Sequence, residues 1–345
     1  MMTADFWKSR RAVGLWLLAV ALVILFMVVV GGLTRLTGSG LSITEWKPIM
    51  GAIPPMSDAA WMEAFEKYKQ IPQYAQENAG MTLEGFKTIF WWEWGHRFLG
   101  RFLGLLFLVP FLWFAAMGAI SRREWPRFVI LFALGGLQGL IGWWMVMSGL
   151  ETRVSVAPYR LAIHLGAAVI LLGAIFWTAL DYLRPPRRGW APRLSLGFIG
   201  LVYLQILLGA LVAGLDAGLI YNTWPDMNGR FLPPDAFFYS PWWHNFFENP
   251  GLAQFNHRML AYIIAGATVA VYLNAIRRGK GMAKNTGKAV TILVTLQVFL
   301  GIVTLLFQAP LGLAALHQTA AALLFCAAVW HAHELRHPHP STSSG

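Results

Sequence analysis

Eight apolar runs, each long enough to cross a bilayer as a helix, leave this chain little choice of fold. They fall at about residues 13 to 33, 98 to 118, 126 to 147, 161 to 181, 194 to 214, 256 to 276, 288 to 308 and 312 to 333. About 20 apolar residues cross the hydrocarbon core, and inside it only helices or closed barrels satisfy every peptide group. The expected fold is therefore an all-α polytopic membrane protein with eight transmembrane helices. Composition agrees: 57% of the 345 residues are hydrophobic and 12% are charged, against roughly 25% charged in soluble domains. No small-residue cleavage site precedes Gly31-Gly32, so the first run reads as a retained span and not a signal peptide.

A formal charge of +11 would suit nucleic acid if it formed one face. Instead the basic residues gather in alternate short connections. Lys8, Arg10 and Arg11 precede the first span; Arg122, Arg123 and Arg127 follow the second; Arg184, Arg187, Arg188 and Arg193 follow the fourth; Arg277, Arg278, Lys280, Lys284 and Lys288 follow the sixth. That is a topology signal with no nucleic-acid partner, and it places both termini in the cytoplasm. The longer connections, residues 34 to 95 and 215 to 255, lie outside. Residues 58 to 70 are expected to form an amphipathic surface helix, capped by Ser57 or Asp58 and ended before Pro72. Trp91, Trp92, Trp224, Trp242 and Trp243 read as an interfacial aromatic belt, with Trp94 the exception because it sits between Glu93 and His96.

The halves repeat. Gly40, Trp46 and Gly51 each stand 178 residues before Gly218, Trp224 and Gly229. Trp94-Gly95-His96-Arg97-Phe98-Leu99 is echoed by Phe255-Asn256-His257-Arg258-Met259-Leu260, and the hexapeptide Leu137 to Gly142 by Leu296 to Gly301. Leu161-Ala162-Ile163-His164 matches Ala314-Ala315-Leu316-His317. Four spans thus form one unit that occurs twice in the same orientation. Two tandem four-helix bundles, residues 1-185 and 186-345, are expected around a pseudo-twofold axis along the membrane normal.

Spans two, four, six and eight all enter from the outer face, and each begins with one of the histidines His96, His164, His257 and His317. Within each half two histidines can face each other near the outer surface, the arrangement that ligates a haem iron from both sides. A lone intramembrane histidine is more often an interhelical hydrogen bond; four at repeated positions favour ligands. Zinc would need three or four ligands per site, and each half offers two histidines at a common depth. Arg97 and Arg258 follow a ligand histidine in both halves, where a guanidinium suits a haem propionate or reaches lipid headgroups. Glu93 becomes Gln254 in the second copy. That change confines proton-coupled chemistry to the first half, unless the carboxylate is structural. Met145, Met147, Met259 and the single cysteine, Cys326, read as packing, and one cysteine excludes an internal disulfide or paired-thioether haem attachment. His331, His333, His337 and His339 read as a solvated cytoplasmic tail, with metal chelation as the alternative.

These residues resemble the haem A synthases, which convert haem O to haem A for terminal oxidases. The likeness covers nearly the whole chain: the eight spans in two repeats, Glu93, His96 and Arg97 opening span two, Asn256, His257 and Arg258 opening span six, His164 and His317, and the stretch Gly31 to Ser42. The resemblance implies that His257 and His317 bind the iron of a resident haem b. It implies a haem O substrate near His96 and His164, with Glu93 close to the reaction. A porphyrin methyl would be oxidised to a formyl group through hydroxylated intermediates, with electrons passing by way of haem b towards a quinone-type acceptor. Some members carry a cysteine pair in the first outer loop; this chain has none and falls in the cysteine-free branch, as mitochondrial and related bacterial enzymes do. A location in the cell inner membrane, haem O synthase or oxidase assembly proteins as partners, and self-association are further expectations. A b-type cytochrome with two permanent haems, or a haem carrier for oxidase assembly, would share the paired histidines.

Overall fold

A computed structural model describes residues 9–184, 187–188, 191–278 and 280–338. Eight long helices carry the fold: α1 Arg10–Leu36, α2 Leu83–Ala116, α3 Trp125–Met147, α4 Pro158–Leu183, α5 Arg193–Gly214, α6 Pro250–Arg278, α7 Met282–Leu306 and α8 Leu311–Glu334. All eight are long and apolar enough to cross a membrane. Among the described residues the one β feature is a two-residue antiparallel ladder that pairs Arg187 with Pro338 and Arg188 with His337. Lys8 and His339 lie outside the described residues.

The order of neighbours follows the repeat. In the first half α1 packs on α2 and α4, and α3 packs on α2 and α4; in the second half α5 packs on α6 and α8, and α7 on α6 and α8. The halves meet through α4 with α5, α8 with α1, and α4 with α8. Exchanging the halves maps this set of contacts onto itself, with α4 and α8 lying together at the centre. Polar contacts between the halves break the symmetry; in one, Gln318 of α8 donates to the Val28 carbonyl of α1 and packs on Gly32. The matching residues, Leu165 and Ala210, lie together in an apolar cluster.

Two helices begin well before their apolar runs. Helix α2 starts at Leu83, where Thr82 caps it by accepting from the Gly85 N–H at 3.2 Å. Phe86, Ile89, Phe90 and Glu93 then fall on one buried face, at the spacing of a helical stripe. That stripe packs on Leu41, Trp61, Phe65 and Tyr68 of the outer segment. Helix α6 starts at Pro250, suited to a first turn, with Asn249 accepting from the Leu252 N–H at 2.9 Å. His96 and His257 therefore sit well inside their helices, beyond the first turns, while His164 and His317 lie in the second turns of α4 and α8. The surface helix runs Asp58–Tyr68 with Ser57 as its cap, and Pro72 opens a separate short helix, Pro72–Gln76. Lys284 and Lys288 belong to the first turns of α7 and not to the connection before it.

The expected histidine tail is corrected for two residues. His331 and His333 are 3% and 1% exposed on the last turns of α8. His331 Nδ1 lies 3.0 Å from the Thr286 hydroxyl of α7. His333 Nε2 lies 3.0 Å from Asp181 of α4, which also accepts from Arg127 and Arg336. An acidic residue far away in sequence, on a packed helix end, turns this apparent tail into a buried tie between the halves.

Candidate functional site

The repeat places the four histidines, and the helix pairs orient them. His257 and His317 face each other with ring centroids 6.4 Å apart and ring planes at 74°. Two metal–imidazole bonds of about 2 Å, plus about 1 Å from each ring centre to its nitrogen, put opposed ligand rings roughly 6 Å apart. The pair thus fits one iron between two imidazoles. Among the described residues Nδ1 of His96, His164 and His317 is buried with no hydrogen-bond partner, a liability unless the ring has another role. Among the described residues no group of three or more histidine, cysteine, aspartate or glutamate side chains could hold a metal ion.

A glycine on the preceding helix backs each histidine. A Cβ on Gly31 would lie 2.9 Å from Cε1 of His96, on Gly142 3.0 Å from that of His164, on Gly209 3.1 Å from that of His257, and on Gly301 3.0 Å from that of His317. All four rings therefore lie flush against backbone, because no side chain intervenes. Reading the histidines alone misses these partners. The signal was available, since Gly31 and Gly209 share the 178-residue interval of the repeat, and Gly142 and Gly301 end its repeated hexapeptide.

One turn towards the helix start, each half holds its outer loop with an i,i+4 pair. In the first half Glu93, 3% exposed, accepts from the Ser42 hydroxyl at 2.7 Å, the Ile43 N–H at 2.8 Å and Arg97 at 2.5 Å. Arg97 also donates to the Ile43 and Glu45 carbonyls at 2.7 and 3.0 Å. In the second half Gln254, equally buried, donates to the Ala217 and Ile220 carbonyls at 2.7 Å each and accepts from Arg258 at 2.8 Å. Arg258 donates to the carbonyls of Tyr221, Thr223 and Asp226. The change from Glu93 to Gln254 thus matches the loops: one presents donors to the side chain, the other presents carbonyls. The structural alternative for this carboxylate thus has a concrete basis in its loop contacts.

Trp94 is set apart from the exposed tryptophans of the outer segments. Its ring stacks on Phe98 with centroids 4.9 Å apart, and its Nε1 is buried without a partner among the described residues. Trp91, Trp92, Trp224, Trp242 and Trp243 are all exposed. Met145 packs in the outer apolar cluster, and Cys326 packs against the core of the first half.

Eight spans in two equivalent sets, with a facing histidine pair in one set and the same histidines repeated in the other, define a polytopic membrane protein of the two-repeat, paired-histidine class. The sequence from residue 14 to residue 329 matches the profile of COX15-CtaA, described as cytochrome oxidase assembly protein, and the chain belongs to that family. It is 50% identical over 334 residues to a protein named "Heme A synthase" from Parvibaculum lavamentivorans, covering 95% of each chain. It is 51% identical over 338 residues to a protein of that name from Caulobacter sp. strain K31, covering 95% of this chain and 97% of the other. A third, from Brucella anthropi, is 49% identical over 328 residues, 94% of this chain and 92% of its own.

Proposed function

We propose that this chain is a haem A synthase, a membrane oxidoreductase that oxidises a porphyrin methyl group of haem O to a formyl group through a hydroxylated stage. The observation that carries the reading is the His257–His317 pair at ligating separation in a chain half identical, over nearly its full length, to proteins named for that activity. The second half, residues 186-345, holds haem b through His257 and His317. The first half, residues 1-185, receives haem O, with His96 and His164 facing its iron. When bound, haem b supplies a one-electron carrier for electrons leaving the substrate site towards a quinone-type acceptor.

The chain's own residues orient and hold. Glu93, one turn before His96 on α2, is the acid, base or charge-stabilising group of the substrate site, and its bonds to Ser42, Ile43 and Arg97 keep it fixed there. Arg97 and Arg258 clamp the outer loops and place a cation one residue from a ligand histidine, where a propionate would meet it. The first outer loop contains no cysteine, which supports the branch without a loop thiol pair. Basic short connections support an inner-membrane location with both termini cytoplasmic. Haem O synthase and oxidase assembly proteins are the partners this role implies, and small residues on the spans would permit self-association.

The test is extraction and mass analysis of haems from the purified chain, made in cells with and without haem O. Haem B in both samples, with haem O, its hydroxylated product and haem A only in the supplied one, is the expected result. Haem B alone in both would replace the synthase with a two-haem cytochrome, and transfer of unaltered haem O would replace it with a carrier.

A further inference from the structure

The two halves differ in what stands behind their histidines. Gln205 of α5 donates through Nε2 to the main-chain carbonyl of His257 at 3.0 Å, and the same nitrogen lies 3.2 Å from both ring nitrogens. Gln297 of α7 repeats the contact with His317, at 3.0 Å to the carbonyl and 3.4 Å to Nε2. Gln205 stands four residues before Gly209, and Gln297 four before Gly301. Each glutamine and its glycine therefore share one helix face, one turn apart, against the same histidine. In the first half the residue four before Gly142 is Gln138, but the residue four before Gly31 is Met27. Met27 reaches to within 3.6 Å of a Cβ placed on Gly100, one turn beyond His96. A thioether thus stands where the second half has a carboxamide.

The chemistry of a ligand histidine gives that difference a meaning. One ring nitrogen faces the metal, and the other N–H needs an acceptor that fixes the ring and its tautomer. Oε1 of Gln205 and Oε1 of Gln297 are both buried without a partner among the described residues, as is Nδ1 of His317. Nε2 of Gln205 is held by the His257 carbonyl, so the amide supplies a donor that pins the turn carrying the histidine and a planar group packed against its ring. Gln297 does the same for His317. A thioether is a weak acceptor and no donor, so Met27 gives His96 no such support.

We propose that Gln205 and Gln297 are positioning residues that hold His257 and His317 as permanent ligands, and that Met27, in the place of Gln205, leaves His96 as the ligand that releases and recaptures the substrate haem. The proposal rests on the assignment of His257 and His317 to resident haem b. It gives a physical reason why one pair keeps its haem and the other exchanges it.

The experiment uses the full chain and the reciprocal variants Gln205→Met and Met27→Gln. In Gln205→Met, haem B should pass to apomyoglobin about tenfold faster, with a shifted midpoint potential and altered low-spin electron paramagnetic resonance. In Met27→Gln, release of haem O from the first half should slow by a similar factor. Parental release rate, potential and resonance in Gln205→Met would overturn the brace, and unchanged haem O release in Met27→Gln would overturn the contrast between halves. Should Gln205→Met hold no haem, the same measurements are made on Gln297→Met, which leaves the Gln205 contact with His257 in place and should release haem B faster than the parent. A Gln297→Met chain with parental release rate, potential and resonance overturns the proposal. Failure of the underlying assignment looks different: His257→Ala and His317→Ala would then keep their full haem B.

Discussion

Gly209 and His257 approach so closely across α5 and α6 that a Cβ on the glycine would lie 3.1 Å from Cε1 of the ring. Gly301 and His317 stand in the same relation at 3.0 Å. Such contacts are tighter than most packed side chains show, so an added methyl must shift the imidazole slightly, at about 1–3 kcal/mol. Gly209→Ala and Gly301→Ala should therefore lower the haem B recovered per chain and disturb its absorption spectrum. Gly197→Ala, where nothing lies within 4 Å, serves as control and should leave both unchanged. Equal haem B in all three variants would remove the glycines from the site.

Single histidine replacements should separate the halves. His257→Ala and His317→Ala should deplete haem B, because removing one side of a facing pair leaves the iron with one protein ligand. His96→Ala and His164→Ala should retain haem B while haem A formation fails. The check is pyridine haemochrome analysis together with mass analysis of extracted haems. Loss of haem B in all four variants alike would undo the division of labour between the halves.

Glu93→Gln should reduce turnover more than it reduces haem content. Three donors face the carboxylate, and a carboxamide must turn its own NH₂ towards one of them. The reverse change, Gln254→Glu, sets an acceptor against the Ala217 and Ile220 carbonyls and should cost about 1–3 kcal/mol of stability. Thermal unfolding of the detergent-solubilised protein measures the second effect and haem A yield the first. Full haem A yield in Glu93→Gln would leave that carboxylate a purely structural part.

The first outer loop should loosen in acid. Hydrogen bonds from Lys47 and Lys67 hold the Glu45 carboxyl below its ordinary value of 4.5. A carboxylate with a depressed folded value contributes stability above the unfolded value and loses it as pH falls through the folded one. Hydrogen exchange of the backbone around Glu45 should therefore rise as pH drops below about 4.5, once corrected for intrinsic rates. The Lys47→Met, Lys67→Met double variant should lose that pH response, and an unaltered response would place its origin elsewhere.

Much of this architecture can be read from the sequence because hydropathy and repetition are local signals. Span number and the four histidines follow from runs of apolar residues and an interval of identical residues. The start of α2 at Leu83 does not, because its first turns are stabilised by Leu41, Trp61 and Phe65 across a loop, which hydropathy cannot see. His331 and His333 were hidden for a similar reason: their burial depends on Thr286 and Asp181, on other helices. The exchange of Glu93 for Gln254 is visible as a difference, but its structural cause lies in whether the opposite loop offers donors or carbonyls. Gln205 and Met27 occupy matching positions, and only the histidine contacts give that difference meaning.

The central meeting of α4 and α8, with α4 on α5 and α8 on α1, has one more consequence. A contact set unchanged when the halves are exchanged is the seam of an isologous dimer. A lone four-span unit with this seam would be its own partner, and every substitution in it would strike both sites together. Tethering two copies in one polypeptide ends that bondage. Gln318 can differ from Leu165, Glu93 from Gln254 and Met27 from Gln205, so that the two copies can take different duties.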